Sequence, residues 1–184
     1  MPKHLMIAVD WFGPYELKKA HEVATTDFGH ALYMCLGQCA YQRKQQLQYI
    51  GIGKNVQSRL IEDHHKLKKV TRERQIWIGE IATAEPSGKK LKVTKATLDY
   101  AEWLHARFLK LPLNEMKTKT LPPRSVTVMN RWFKTDYETP RRNRPHPDWP
   151  DLIDYPNYDI PARMVWFGGR QQYFLAPDYA QPRA

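Results

Sequence analysis

The chain has 184 residues, 42% hydrophobic and 26% charged, with 29 Lys and Arg against 19 Asp and Glu and a formal net charge of +10. This composition supports a packed core and excludes wholesale disorder, while the basic excess points to a polyanionic partner, nucleic acid or an acidic surface. No stretch approaches the roughly 18 apolar residues of a membrane span, no signal-peptide core is seen, and two cysteines suffice for neither a disulfide framework nor a zinc site; a cytoplasmic protein with reduced thiols is expected.

In chain order, Leu5 to Trp11 is an apolar run closed by Gly13-Pro14, which predicts a strand. Glu16 to Val23 is a short helix or turn. Ala31 to Leu36 and Leu47 to Ile52 flank a polar stretch and predict a hairpin. Asn55 is placed to cap a helix with Val56, Leu60, His64 and Leu67 at helical spacing. Gln75 to Ala82 is a further strand, and Glu85 to Lys92 a basic loop around Pro86-Ser87-Gly88. Thr94 to Leu111 carries the apolar stripe Leu98, Ala101, Leu104 and Phe108 and stops at Pro112, the strongest helix signal in the chain. Ser125 to Phe133 is strand-like, and Met164 to Phe167 with Gln171 to Leu175 flank Gly168-Gly169 as a second hairpin. Ten of the 14 prolines fall from Pro122 onward. The expected fold is α+β: a small central antiparallel or mixed sheet flanked by helices, with an N-terminal extension (1–27), a core (28–120) and an irregular Pro-rich C-terminal extension (121–184) packed on it.

Charge is concentrated. Residues 41–75 carry nine basic side chains against three acidic, and residues 87–120 eight against three. Arg43, Lys44, Lys54, Lys66, Lys68, Lys69, Lys89 and Lys90 are candidates for phosphate contacts, although such blocks also arise as solvated faces. The Arg141-Arg142-Asn143-Arg144 cluster is either a minor-groove arm or linker charge. Glu102 lies at the edge of the helix stripe. By spacing alone it is a solvent-edge carboxylate paired with a nearby Lys or Arg, Arg59 is a surface Arg, and Tyr33 and Tyr49 are half-buried strand tyrosines.

Gly29-His30-Ala31-Leu32-Tyr33, followed by Tyr49-Ile50-Gly51-Ile52-Gly53-Lys54-Asn55-Val56-Gln57-Ser58-Arg59-Leu60, resembles the GIY-YIG nuclease module. Glu102 on the later helix and Asn114 twelve residues on extend the resemblance over residues 28–120. It implies that Tyr33 acts as general base or orients the attacking water. Tyr49 would bind the phosphate or align the water, and Arg59 would neutralise charge in the transition state. Glu102 would hold one divalent ion, Mg²⁺ or Mn²⁺, and Asn114 would position the phosphate or the Glu102 carboxylate. The sequence departs from the pattern in three places. Ala31 replaces the first Gly, and the Tyr33–Tyr49 connection is long and carries Arg43-Lys44. Asp63 stands one turn after the Arg, leaving His64 as a substitute general acid or phosphate ligand, or as a solvated histidine.

The resemblance implies a metal-dependent endonuclease hydrolysing DNA, by analogy a restriction-type enzyme acting as a homodimer. An RNA-cleaving nuclease with the same site is one alternative. A noncatalytic nucleic-acid-binding protein with a decayed site is the other.

Overall fold

The computed structural model describes residues 4–82, 94–156 and 159–175. The basic loop expected over Glu85–Lys92, with Lys89 and Lys90, lies outside them. Eight strands and two α-helices follow in the order β1 (Leu5–Tyr15), α1 (Leu17–Asp27), β2 (Ala31–Cys39), β3 (Gln46–Gly53), β4 (Val70–Ile81), α2 (Lys95–Phe108), β5 (Val126–Phe133), β6 (Leu152–Tyr155), β7 (Ala162–Trp166) and β8 (Arg170–Phe174). All strands join one sheet in the order β3-β2-β4-β1-β5-β6-β7-β8.

This corrects the expected fold class. Over the described residues the protein is mostly sheet, a mixed, curled half-barrel with two α-helices, rather than a small sheet between helices. The C-terminal part is not irregular. Strand β5 lies parallel to β1 over eight residue pairs, from Leu5–Val126 to Phe12–Phe133, and β6, β7 and β8 continue antiparallel from it. The prolines misdirect the sequence reading because several of them, Pro145, Pro147, Pro150, Pro156 and Pro161, sit in the connections, where no ladder N–H is needed. Register shifts in β1 and β2 add local twist of the kind that curls a sheet.

The β2–β3 hairpin forms as expected, as does the β7–β8 hairpin around Gly168 and Gly169. Helix α2 also forms, with a reciprocal cap between Thr94 and Thr97, and its stripe Leu98, Ala101, Leu104 and Phe108 is buried. The helix expected after Asn55 does not. That segment is two 3₁₀ turns, Val56–Arg59 and Leu67–Lys69, and Asn55 makes no side-chain cap. His64 explains part of this: its Nδ1 accepts from the backbone N–H groups of Lys66 and Leu67, a local pairing that replaces the helical ladder.

Alternation along β2 divides the core in two. Leu32, Met34 and Leu36 join α2 and the C-terminal strands on one face, while Ala31, Tyr33 and Cys35 join α1 and the 3₁₀ turns on the other. Strand β3 is an edge, but its outer side is not bare. The chain leaving α2 runs along it: Leu113 N–H donates to the Gln48 carbonyl, and Asn114 brackets Ile50 through both amide atoms. This crossing of the edge brings the α2 side and the Tyr33 side together.

Candidate functional site

The pleat of β3 explains the spacing of its motif. Tyr49, Gly51 and Gly53 fall on one face. Tyr33 lies directly across from Gly51, and a Cβ there would stand 2.5 Å from both Cζ and Oη of Tyr33. A Cβ at Gly53 would meet Cγ of Arg59 at 3.0 Å. The two glycines are therefore seats, one for a phenol and one for the stem of a guanidinium side chain. Helix α1 secures the turn that carries Arg59: His21 Nδ1 donates to the carbonyls of Gln57 and Leu60 at 3.0 and 3.2 Å.

Tyr33, Tyr49 and His64 form one aromatic cluster. Ring centroids are 6.0 Å apart for the two tyrosines, 5.9 Å for Tyr33–His64 and 5.6 Å for Tyr49–His64. Tyr33 Oη and His64 Nε2 are 3.0 Å apart. The direction of this bond follows from the other ring nitrogen. Nδ1 accepts two backbone N–H groups, so in the neutral ring the proton sits on Nε2 and is donated to Tyr33. Tyr33 keeps its own proton for another acceptor. Burial raises the pKa of the Tyr33 phenol most, and the neighbouring Tyr49 raises it further. Proton donation thus runs from His64 to Tyr33, with the Tyr49 ring packed beside both.

Burial distinguishes the members of this cluster. Tyr33 is fully buried, whereas Tyr49 is half-buried, so Tyr49 is the more accessible phenol. His64 is neither solvated nor placed for general acid work. Burial, with lesser contributions from His65 and Arg59, pulls its pKa down to about 4, and protonation at Nδ1 would oppose two N–H donors. Its Nε2 is held against the Tyr33 hydroxyl.

Glu102 is turned inward, its side chain 12% exposed, and lies 3.6 Å from the ammonium of Lys117. The bland expectation of a Lys partner is met, yet the carboxylate also acts electrostatically on both tyrosines. Burial raises its pKa, and Lys117 opposes that rise. Arg59 is exposed and has no hydrogen bond or ion pair among the described residues, while its charge acts on Tyr33, Tyr49, His64 and Glu102 alike. Two phenols, a guanidinium and a carboxylate therefore share one region.

Asn114 departs from its expected role. Its Oδ1 accepts from Ile50 N–H at 2.9 Å and its Nδ2 donates to the Ile50 carbonyl at 3.0 Å, so the amide is spent on holding β3 beside Tyr49. Lys66 departs too. It is buried and paired with Glu115 at 2.8 Å, which takes it from the list of phosphate contacts. Arg43, Lys44, Lys54, Lys68 and Lys69 are exposed, as a backbone-binding surface requires. In the cluster after Pro140, Arg144 pairs with Asp151 at 2.8 Å, and Arg141 lies over the Trp77 ring, which favours the structural reading over a free arm. Lys117 and Glu115, and the role of Gly53 as a seat, were not legible in the sequence; Lys117 is fifteen residues from Glu102 and no spacing rule joins them.

No group of three or more His, Cys, Asp or Glu side chains suited to a metal occurs among the described residues. Glu102 alone offers one inward carboxylate, a donor set that fits Mg²⁺ or Mn²⁺ completed by water and substrate phosphate but not a closed structural zinc site. Cys35 is buried and its thiol is pushed up to about 12, mainly by burial, so it is not a thiolate ligand. A cavity of about 590 Å³ between the β2–β3 tip, the end of α2 and β7–β8 contains none of the clustered residues. Among the described residues no helix is long and apolar enough to cross a membrane. No family model matches the chain, and no match is found among curated proteins or solved structures.

Proposed function

We propose that this chain is a metal-dependent nuclease of the GIY-YIG type that hydrolyses phosphodiester bonds in DNA. The single observation that carries the reading is Arg59: an exposed guanidinium, its stem seated on Gly53, with no ion pair among the described residues and with its charge acting on both phenols, His64 and Glu102. A planar cation left unneutralised beside a carboxylate and two hydroxyls suits a ligand that brings its own negative charge, and a phosphate meets that need.

In this reading the phosphate docks on Arg59, which stabilises charge growing on the phosphoryl oxygens. Tyr49 orients the attacking water. Tyr33, fixed by His64 on one side and by Gly51 beneath, packs against the Tyr49 ring and holds that phenol in place. Glu102 would hold the divalent ion, which when bound polarises the scissile phosphate and stabilises the leaving oxygen. Lys44 and Arg43 at the hairpin tip, with Lys54, Lys68 and Lys69, would track the backbone on either side.

The test is a supercoiled plasmid, a linear duplex and a single-stranded RNA, each incubated with protein and Mg²⁺, with EDTA, Arg59→Ala and Glu102→Gln controls. Cleavage of DNA that both substitutions and EDTA abolish supports the proposal. Cleavage confined to RNA moves the substrate. Binding without cleavage of any polymer identifies the noncatalytic alternative, for which the Lys117–Glu102 pair is the supporting observation.

A further inference from the structure

Lys117 is the strongest feature that the proposed chemistry does not use. Its ammonium lies between two carboxylates of α2 spaced three residues apart, 3.1 Å from Asp99 and 3.6 Å from Glu102. The side chain is 22% exposed, so the contact is partly shielded from water. Its backbone is at φ 62, a left-handed conformation that costs energy for any residue with a Cβ. The ammonium also stands 5.8 Å from the Trp103 ring centroid, and Trp103 Nε1 donates to the Thr120 carbonyl, tying the segment to the helix. A strained residue, anchored on both sides, delivers a cation to the carboxylate on which the nuclease reading places the metal.

We propose that Lys117 is a built-in counter-cation that competes with the divalent metal for Glu102, and that it yields by withdrawing onto Asp99. This rests on the nuclease reading. With Lys117 between them, Asp99 and Glu102 share one counter-cation, so a free Mg²⁺ meets a carboxylate whose charge is already partly neutralised. Substrate phosphate supplies the missing charge. Metal and DNA then bind in concert, because each improves the site for the other. Asp99 serves as the parking partner: it makes the shorter contact with Lys117, so the ammonium can leave Glu102 without becoming an unpaired, half-buried charge.

The experiment uses Tb³⁺ as the probe, at fixed pH and with the full chain free of DNA; Trp103 is close enough to sensitise its luminescence. The variants are Lys117→Met, which removes the charge and keeps the stem, Lys117→Arg, Asp99→Asn and Glu102→Gln. The expected result is Tb³⁺ binding about tenfold tighter for Lys117→Met, within the usual range of coupling between sites. Lys117→Arg stays close to wild type, and Asp99→Asn weakens binding. In a plasmid assay the Mg²⁺ concentration for half-maximal cleavage falls in Lys117→Met. Unchanged or weaker Tb³⁺ binding by Lys117→Met, while Glu102→Gln abolishes it, overturns the role of Lys117 and leaves the nuclease reading standing. Wild-type binding that Glu102→Gln does not reduce overturns both.

Discussion

Replacing Gly51 by Ala tests the seating of Tyr33 directly. The added Cβ would stand 2.5 Å from Cζ and Oη of the phenol, where ordinary contact is 3.4–4 Å, so the ring has to retreat by about 1 Å. Tyr33 is fully buried, with Ile78 opposite it on β4 and His64 hydrogen-bonded to its hydroxyl. Overpacking of this kind costs about 1–3 kcal/mol, and loss of the bond from His64 adds about 1 kcal/mol. A net loss near 3 kcal/mol lowers Tm by about 6–12 °C in a chain of this size. A 1 Å displacement of Tyr33, which aligns Tyr49, lowers the cleavage rate by about 10²-fold. The assays are thermal unfolding and plasmid cleavage of Gly51→Ala, Tyr33→Ala and the double variant. Because both changes act on one contact, the double variant should recover at least about 1 kcal/mol relative to the sum of the single losses. Wild-type Tm and cleavage rate for Gly51→Ala, or strict additivity in the cycle, refutes the reasoning.

Other outcomes follow from the same geometry. Arg59→Lys keeps the charge but not the fork, and cleavage should fall about 10²-fold with DNA affinity reduced far less; full activity in that variant would remove Arg59 from the transition state. Stability should fall as pH drops from 6.5 towards 4. His105 is fully buried, and its pKa is pulled down to about 4 by burial; its Nδ1 donates to the Ala101 carbonyl while its Nε2 accepts from Asn130 and Trp149. The unfolded chain therefore binds the proton first, and the loss for His105 approaches about 3 kcal/mol near pH 4, with His64, pulled down to the same range, acting in the same direction; a Tm flat between pH 7 and 4.5 contradicts this. Asn114→Asp retains one bond to Ile50 and sets a carboxylate against its carbonyl oxygen, so it should lower Tm more than Asn114→Leu, a ranking that thermal unfolding checks. Removing Arg43 and Lys44 together should make the salt dependence of DNA affinity shallower by a slope of about 2, measured by titration at several salt concentrations.

Local elements and the identities of the clustered residues were legible in the amino-acid order alone. Strict punctuation and period marked the β2–β3 hairpin, α2 with its Thr94 start, and the β7–β8 turn, because these depend on interactions within a few residues. Tyr33, Tyr49, Arg59 and Glu102 were legible as a set through their resemblance to a known pattern. Tertiary structure decided the rest. That β1 would pair with β5 across more than a hundred residues, and carry the Pro-rich end into the same sheet, depends on long-range pairing that no local window contains. The roles of His64, Asn114 and Lys117 are likewise long-range. A tautomer is set by what faces the second nitrogen, an amide by the backbone groups it meets, and an ammonium by the carboxylates within reach. Each of those partners is supplied by folding, and none by neighbouring sequence alone except the backbone N–H groups of Lys66 and Leu67 that hold His64.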